Sequence, residues 1–190
     1  MTQYLYYPGC SMESSGRAYQ ESLMVVNRVL GLEFKEIKDW NCCGATEYLS
    51  ISQTQAYALI GRNLALATQQ ANGSRSVVAP CSACYLNLSK VDHQMEVDPN
   101  RNQRVNSALE AGNLTYKPGS LEIRHLVDVL YYEVGLEAVK SHVVRPLSGL
   151  RVAPLPGLHG ASTRLPGTFF RPYPTCGAGQ INGSLRRPGG

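Results

Sequence analysis

The chain has 190 residues, of which 43% are hydrophobic and 17% are charged, a length and balance typical of one or two folded domains. Residues 1–141 carry 12 basic and 14 acidic side chains, whereas residues 142–190 carry six arginines and no acid. The net charge of +4 therefore arises in the tail, and the main body gives no electrostatic reason to expect nucleic acid as a partner.

The beginning of the chain has no basic stretch followed by an apolar run, as a secretory signal would have. No window reaches the roughly 18 apolar residues that a membrane span needs. We therefore expect a cytoplasmic protein without a membrane span. Thiols stay reduced in the cytoplasm, so clustered cysteines there hold metal or carry out redox chemistry more often than they form disulfides.

Strand and helix patterns alternate along the first 97 residues. Apolar or alternating segments at residues 4–9, 32–37 and 76–80 predict three strands. A helix is predicted over residues 19–30, ending before Gly31. Another is predicted from Ser52, in a capping box with Gln55, to about residue 71, and a third over about residues 84–95.

Beyond these elements, residues 101–112 and 121–134 predict two more helices, which we expect to cover one face of the sheet. Residues 149–155 predict the first strand of another unit. Strands that alternate with helices at this spacing form parallel sheets. The expected fold class is therefore α/β, a Rossmann-like parallel sheet with flanking helices over residues 1–148.

Five of the six cysteines follow the predicted strands directly: Cys10 the first, Cys42 and Cys43 the second, Cys81 and Cys84 the third. In an open α/β sheet, the carboxyl ends of the strands form a binding crevice where the strand order switches. Thiols that are far apart in sequence are therefore expected to meet in one crevice. Gly9 and Gly44 are expected to let the backbone approach that site closely.

Several kinds of site use clustered thiols. A structural zinc ion takes four ligands, usually as two CxxC-like pairs, and only Cys81 and Cys84 form such a pair. A thioredoxin-like motif leaves the other three cysteines unexplained, and disulfides suit neither the compartment nor an odd number of thiols. An iron–sulfur cluster is favoured, with zinc as the alternative.

The sequences around these cysteines, YYPGCS, DWNCCGA and APCSACY, resemble the cysteine-rich CCG domain found in the B-subunit family of heterodisulfide reductase. Similar domains occur in the iron–sulfur subunit of glycolate oxidase, in lactate-utilisation proteins and in one type of succinate dehydrogenase or fumarate reductase. The tryptophan and asparagine of DWNCCGA favour the heterodisulfide reductase branch. The resemblance covers residues 1 to about 150.

This resemblance implies that Cys10, Cys42, Cys43, Cys81 and Cys84 ligate one non-cubane 4Fe-4S cluster. It implies an oxidoreductase subunit that reduces a small-molecule disulfide, such as the mixed disulfide of coenzymes M and B. A flavin-containing subunit and a ferredoxin-like subunit would be its partners. The alternative is an electron-transfer subunit of a succinate/fumarate, glycolate or lactate dehydrogenase complex.

The family carries two such domains, but only Cys176 follows Cys84 in this chain. Residues 151–190 hold eight glycines and six prolines without a helical period, which predicts a disordered tail. We interpret residues 149–190 as the start of a second CCG domain that is truncated or frameshifted. Codons permitted for residues 155–159, read one base later, can encode Tyr-Pro-Gly-Cys-Met, which matches the motif of the first domain.

The histidines of the main body are His93, His125 and His142. Each is assigned to a helical or flanking segment away from the strand ends. Histidines in such places more often lie at a surface or a helix end than in a site, so none is expected to contribute to the cysteine cluster.

Overall fold

The computed structural model describes residues 2–45 and 47–150. Its sheet has four parallel strands: β1 Thr2–Tyr6, β2 Leu32–Glu36, β3 Ser76–Ala79 and β4 Glu122–His125. Their order is β2-β1-β3-β4. The chain therefore moves outward from β1 to β2 and then crosses back to β3 on the other side of β1, which creates a switch in strand order between β1 and β3.

Helices connect these strands. They are α1 Arg17–Val29, α2 Glu47–Ile51, α3 Gln53–Gln70, α4 Ser82–Val97, α5 Pro99–Glu110, α6 Leu126–Asp128 and α7 Leu136–Ser141. A short 3-10 turn covers Cys10–Glu13, and α6 continues as a π-helical segment over Val129–Val134. Among the described residues, no helix is both long and apolar enough to cross a bilayer.

Alternation along the strands divides the core between the two faces of the sheet. Leu5 and Val77 point to the larger cluster, which includes residues of α3, α4 and α5. Tyr4, Tyr6 and Val78 point to the smaller cluster, which they share with residues of α1 and α6. Because successive side chains of a strand face opposite sides, both faces of the sheet need helical cover, and both have it.

The α/β class with a parallel sheet is confirmed, and so are the first three strands and the helices between them. The predicted capping box is wrong. Ser52 does precede α3, but its side chain makes no capping hydrogen bond. The backbone N–H of Ser52 donates to the carbonyl of Tyr48, at 3.0 Å. That N–H belongs to the end of α2, so it is not free for the Gln55 side chain that a capping box requires.

The segment at residues 121–134 differs from the helix predicted there. Its first part is strand β4, paired with β3 from Ser76↔Glu122 to Ala79↔His125, and only the part after His125 is helical. Leu121, Ile123 and His125 alternate with charged residues, but four residues are too few to separate a strand period from a helix face.

The two late helices also do not share one face of the sheet. Val105 and Leu109 of α5 pack in the larger cluster, whereas Leu126 and Val129 pack in the smaller one. The strand predicted at 149–155 is not formed at residues 149 and 150, and its remainder lies outside the described residues, as does most of the predicted second domain.

Candidate metal centre

The five cysteines that follow the strands meet at the carboxyl edge of the sheet. The Sγ atoms of Cys10 and Cys42 lie 3.3 Å apart, and those of Cys43 and Cys84 lie 3.5 Å apart. Cys81 forms a hydrogen bond with Cys84. Because Cys42 and Cys43 are adjacent, these contacts join all five thiols into one cluster at the switch point between β1 and β3.

None of the five cysteines forms a disulfide bond, and their solvent exposure differs from one side of the cluster to the other. Cys43 and Cys84 are buried, Cys42 and Cys81 are half-buried, and Cys10 is exposed. Within residues 2–45 and 47–150, no three His, Cys, Asp or Glu side chains are arranged as the ligands of a single metal ion.

Hydrogen bonding within the cluster separates the thiols by acidity. Hydrogen bonds with the Cys84 thiol lower the pKa of Cys43 to about 6 and that of Cys81 to about 5. The same two hydrogen bonds, together with burial, raise the pKa of Cys84. Burial is also the main cause that raises the pKa of Cys42 to about 11. The thiolate is the form that ligates metal, and hydrogen bonds to Cys43 and Cys81 favour it.

The turn that carries the vicinal cysteines is held by a buried asparagine of α3. Asn63 accepts a hydrogen bond from the backbone N–H of Asn41 at 2.9 Å and donates to the carbonyl of Asn41 at 2.9 Å. The hydroxyl of Tyr7, which is fully buried, also donates to that carbonyl, at 2.7 Å. These bonds fix the backbone immediately before Cys42.

A second buried asparagine holds the other end of the turn. The side chain of Asn87, on α4, donates to the carbonyls of Cys43 at 3.3 Å and Ala45 at 2.6 Å. Ala45 has φ of 45°, in the left-handed region where a residue other than glycine is strained. The hydrogen bonds to Asn87 stabilise a backbone shape that the turn alone would not favour.

Gly9 lies directly against a thiol of the cluster. Its φ is +78°, and a Cβ built on it would lie 2.7 Å from the Sγ of Cys84. A side chain at this position would therefore occupy space next to the thiols. Cysteine sulfur is a soft metal ligand, and a glycine beside it leaves space next to the thiols. Both features fit a group bonded through thiolates, such as an iron–sulfur cluster.

The structure places His125 differently from the sequence prediction. It is the last residue of β4 and so lies at a strand end, beside the loop that carries Cys81. Its Nε2 lies 3.4 Å from the Oγ of Ser82, and its ring packs edge-on against Tyr85 at 5.6 Å between centroids. Burial lowers the pKa of His125, since it opposes the charged imidazolium. The prediction that it lies away from the strand ends is wrong.

Sequence reasoning also missed the two asparagines that support the turn. Asn63 lies in IGRNLALA and Asn87 in CYLNLSK, each an uncharged polar residue within an apolar helical stretch. An asparagine within an apolar helical stretch is the signal that could have identified them, because a buried amide needs hydrogen-bond partners. It does not name the partners, which lie 22 residues away for Asn63 and 44 for the Cys43 carbonyl bound by Asn87.

Comparison with known proteins gives an independent view of this cluster. The profile of the cysteine-rich domain family, CCG, matches residues 4–89, the part of the chain that contains all five clustered cysteines. A solved structure of a hypothetical protein from Helicobacter pylori shares the fold, with a TM-score of 0.56 and 20% identity, covering 77% of this chain and 27% of that one.

Three curated relatives share most of the chain. The 8-methylmenaquinol:fumarate reductase membrane anchor subunit of Wolinella succinogenes is 34% identical over 157 residues, which is 83% of this chain and 52% of the relative. A protein of Archaeoglobus profundus, named as similar to the B-subunit of heterodisulfide reductase, is 29% identical, over 84% of this chain and 52% of the relative.

The B-subunit of the ferredoxin/F(420)H(2)-dependent CoB-CoM heterodisulfide reductase of Methanosarcina acetivorans is 27% identical, over 80% of this chain and 50% of the relative. This chain therefore spans about half the length of the curated relatives it matches. Residues 4–89 match the cysteine-rich CCG domain family, and over most of its length the chain is similar to B-subunit proteins of heterodisulfide reductases.

Proposed function

We propose that this chain is the iron–sulfur subunit of a heterodisulfide-reductase-like complex. In this proposal Cys10, Cys42, Cys43, Cys81 and Cys84 ligate one non-cubane 4Fe-4S cluster. The observation that carries it is the meeting of five thiols from three strand ends in one cluster, with Sγ–Sγ distances of 3.3 and 3.5 Å. Thiolates are the usual ligands of such clusters, and five exceed what a tetrahedral zinc site uses.

The exposure gradient gives the site an inner and an outer side. Cys43 and Cys84 are buried and Cys10 is exposed, so a substrate would approach from the side of Cys10 and Cys42. Asn63 and Asn87 fix the backbone on either side of the vicinal pair, which keeps two adjacent ligands in a set direction. When bound, the cluster supplies electrons singly and offers an exchangeable thiolate position for one sulfur of a disulfide.

The partners proposed are a flavin-containing subunit and a ferredoxin-like subunit, with a small-molecule disulfide as substrate and a cytoplasmic location. The relatives from Archaeoglobus profundus and Methanosarcina acetivorans, both named for the B-subunit of heterodisulfide reductase, support a role as one subunit of a reductase complex. A reduction by two electrons needs an electron supply from outside the chain, which is the role that partner subunits would fill.

A second candidate is an electron-transfer subunit of a fumarate reductase or succinate dehydrogenase complex. The 34% identity to the fumarate reductase subunit of Wolinella succinogenes favours it. In that case the cluster passes electrons to or from a dehydrogenase flavoprotein and cleaves no bond. The same five cysteines serve either candidate, because the ligand set decides which group is bound and the partner decides the substrate.

The first experiment measures iron and acid-labile sulfide in the anaerobically purified chain, with an EPR spectrum after oxidation in the presence of thiol. We expect iron and sulfide in equal amounts, and loss of both in Cys42→Ser and Cys43→Ser. Cys176→Ser is the matched control, since this cysteine lies outside the proposed ligand set, and should retain them. Zinc in place of iron, or iron that survives both substitutions, would contradict the proposal.

A second experiment separates the two candidate functions. A tagged chain is purified anaerobically with its native partners, and viologen-linked reduction of a disulfide is compared with that of fumarate. Disulfide reduction with a flavin-containing and a ferredoxin-like subunit supports the first candidate. Fumarate reduction with a dehydrogenase flavoprotein supports the second and refutes the first.

A further inference from the structure

His125 touches the cysteine-bearing loop from a neighbouring strand. It ends β4, which pairs with β3 through Ala79↔His125, and the loop after β3 begins with Pro80 and Cys81. The ring donates a hydrogen bond to the carbonyl of Pro80, and Nε2 lies 3.4 Å from the Oγ of Ser82. The residues before and after Cys81 therefore both lie against the same imidazole.

The orientation of that imidazole is itself fixed. Its Nδ1 accepts a hydrogen bond from the backbone N–H of Val127 at 3.2 Å, and Asp128 accepts one from the backbone N–H of His125 at 3.2 Å. With Nδ1 acting as an acceptor, the proton of the neutral ring lies on Nε2, the nitrogen that faces Pro80 and Ser82. The cap of α6 thus aims a single donor at the loop.

A third contact joins the ring to the residue that follows Cys84. Tyr85 follows Cys84 in α4 and packs edge-on against the imidazole, with 5.6 Å between ring centroids. Tyr85 is buried, so the ring cannot shift without disturbing α4. His125 therefore contacts the neighbours of both Cys81 and Cys84 from an element that carries no cysteine.

We propose that His125 is a positioning residue for the candidate metal centre, holding the Pro80–Ser82 loop so that Cys81 keeps its direction towards the other thiols. This proposal rests on the proposed function in that a positioned Cys81 matters most as a ligand. Partners that orient metal ligands tune the site, and their loss typically costs about 10- to 100-fold in metal affinity or activity. His125 would act through Pro80 and Ser82 and would not touch the bound group.

The test compares His125→Leu, which removes the donor, with His125→Gln, whose amide can donate from nearly the position of Nε2. His93→Leu is the matched control, because His93 is a half-buried histidine on α4 that lies 4.0 Å from Glu96. The full chain is purified anaerobically, its folding is checked by circular dichroism, and the rate of iron release to a chelator is measured together with the EPR spectrum.

We expect His125→Leu to release iron about tenfold faster than the wild type and to shift the EPR spectrum. His125→Gln and His93→Leu should stay near the wild-type rate and spectrum. An unchanged release rate and spectrum in His125→Leu would overturn the proposal, as would equal changes in His125→Leu and His125→Gln.

A measurement without iron keeps this proposal separate from the proposed function. After metal is removed from the full chain, alkylation of each cysteine by iodoacetamide is followed by peptide mass spectrometry. In His125→Leu, Cys81 should react about fivefold faster, the effect of losing one hydrogen bond, whereas Cys10 should not change. If the wild type binds no iron but Cys81 responds in this way, the proposed function fails and the positioning role stands. If Cys81 does not respond, the positioning role fails.

Discussion

Two buried asparagines provide a direct test of what hydrogen bonding contributes to this fold. Asn63 is 1% exposed and Asn27 is 3% exposed, and leucine has nearly the shape of asparagine. Asn63 makes two hydrogen bonds of 2.9 Å with the backbone of Asn41. Among the described residues, both polar side-chain atoms of Asn27 are buried without a hydrogen-bond partner. The same substitution to leucine should therefore have opposite effects at the two positions.

The magnitudes follow from the partners. Asn63→Leu removes the two hydrogen bonds to Asn41, worth about 1 kcal/mol each, and a longer one to the Tyr7 hydroxyl at 3.4 Å. It also leaves the Asn41 N–H without its acceptor, for a total loss of about 2–4 kcal/mol. The Asn41 carbonyl keeps its bond from the Tyr7 hydroxyl, at 2.7 Å, which limits the loss. Asn27→Leu removes two buried polar atoms that have no partner, which should stabilise the protein by up to about 2 kcal/mol after some cost of packing.

The assay is equilibrium unfolding in urea under reducing, anaerobic conditions, with the free energy of unfolding extrapolated to water. A difference of about 3 kcal/mol between the two variants would separate their midpoints by about 1–3 M at the slopes usual for small domains. If both variants lose equal stability, side-chain shape decides the outcome and the reasoning from hydrogen bonds is refuted.

Four further outcomes are expected. Gly9→Ala should lose more stability than Gly31→Ala: both have positive φ, but only at Gly9 would a Cβ meet an atom, the Sγ of Cys84 at 2.7 Å. If urea unfolding shows equal losses of stability in the two variants, backbone strain alone accounts for the loss and the contact with Cys84 does not contribute. Asp98→Ala removes the side chain that caps α5 and should lower the free energy of unfolding by about 1 kcal/mol. Asp98→Ser keeps a capping oxygen and should lose much less.

The third outcome concerns alkaline pH. Burial raises the pKa of Tyr85 to about 12, above about 10 in the unfolded chain, so its contribution to stability is complete below pH 10 and is lost as pH rises towards 12. Absorbance at 295 nm should show such tyrosines ionising with unfolding; full ionisation in the folded state contradicts this. The fourth concerns the gene: DNA beyond codon 153, read in the next frame, should encode a CC pair and a CxxC pair, and the absence of both refutes the frameshift.

Much of the candidate site could be predicted from local sequence. Three cysteine-bearing segments each follow a strand, and the rule that parallel strands end at one edge of the sheet was enough to predict that their thiols meet. The structure places Cys10 against Cys42 and Cys43 against Cys84. This worked because convergence follows from topology alone and needs no knowledge of individual side-chain contacts.

Two of the failed predictions, the helix over residues 121–134 and the place of His125, have a common physical origin. Residues 122–125 have only four positions in which to show a period, so the helical pattern that starts at Leu126 extended over them. With β4 hidden in that way, His125 was placed in a helix, away from the cysteines. A single misassigned strand thus concealed both the sheet edge and the ring that contacts Ser82.

The sequence by itself determined the set of thiols and which strand each of them follows along the chain, because strand ends and cysteine positions are local features. Only the tertiary structure decided which polar groups support those thiols. Asn63, Asn87 and His125 each act across a gap in sequence, on Asn41, Cys43 and Ser82. A hydrogen bond depends on distance and direction between groups that packing brings together, and no local pattern encodes either one.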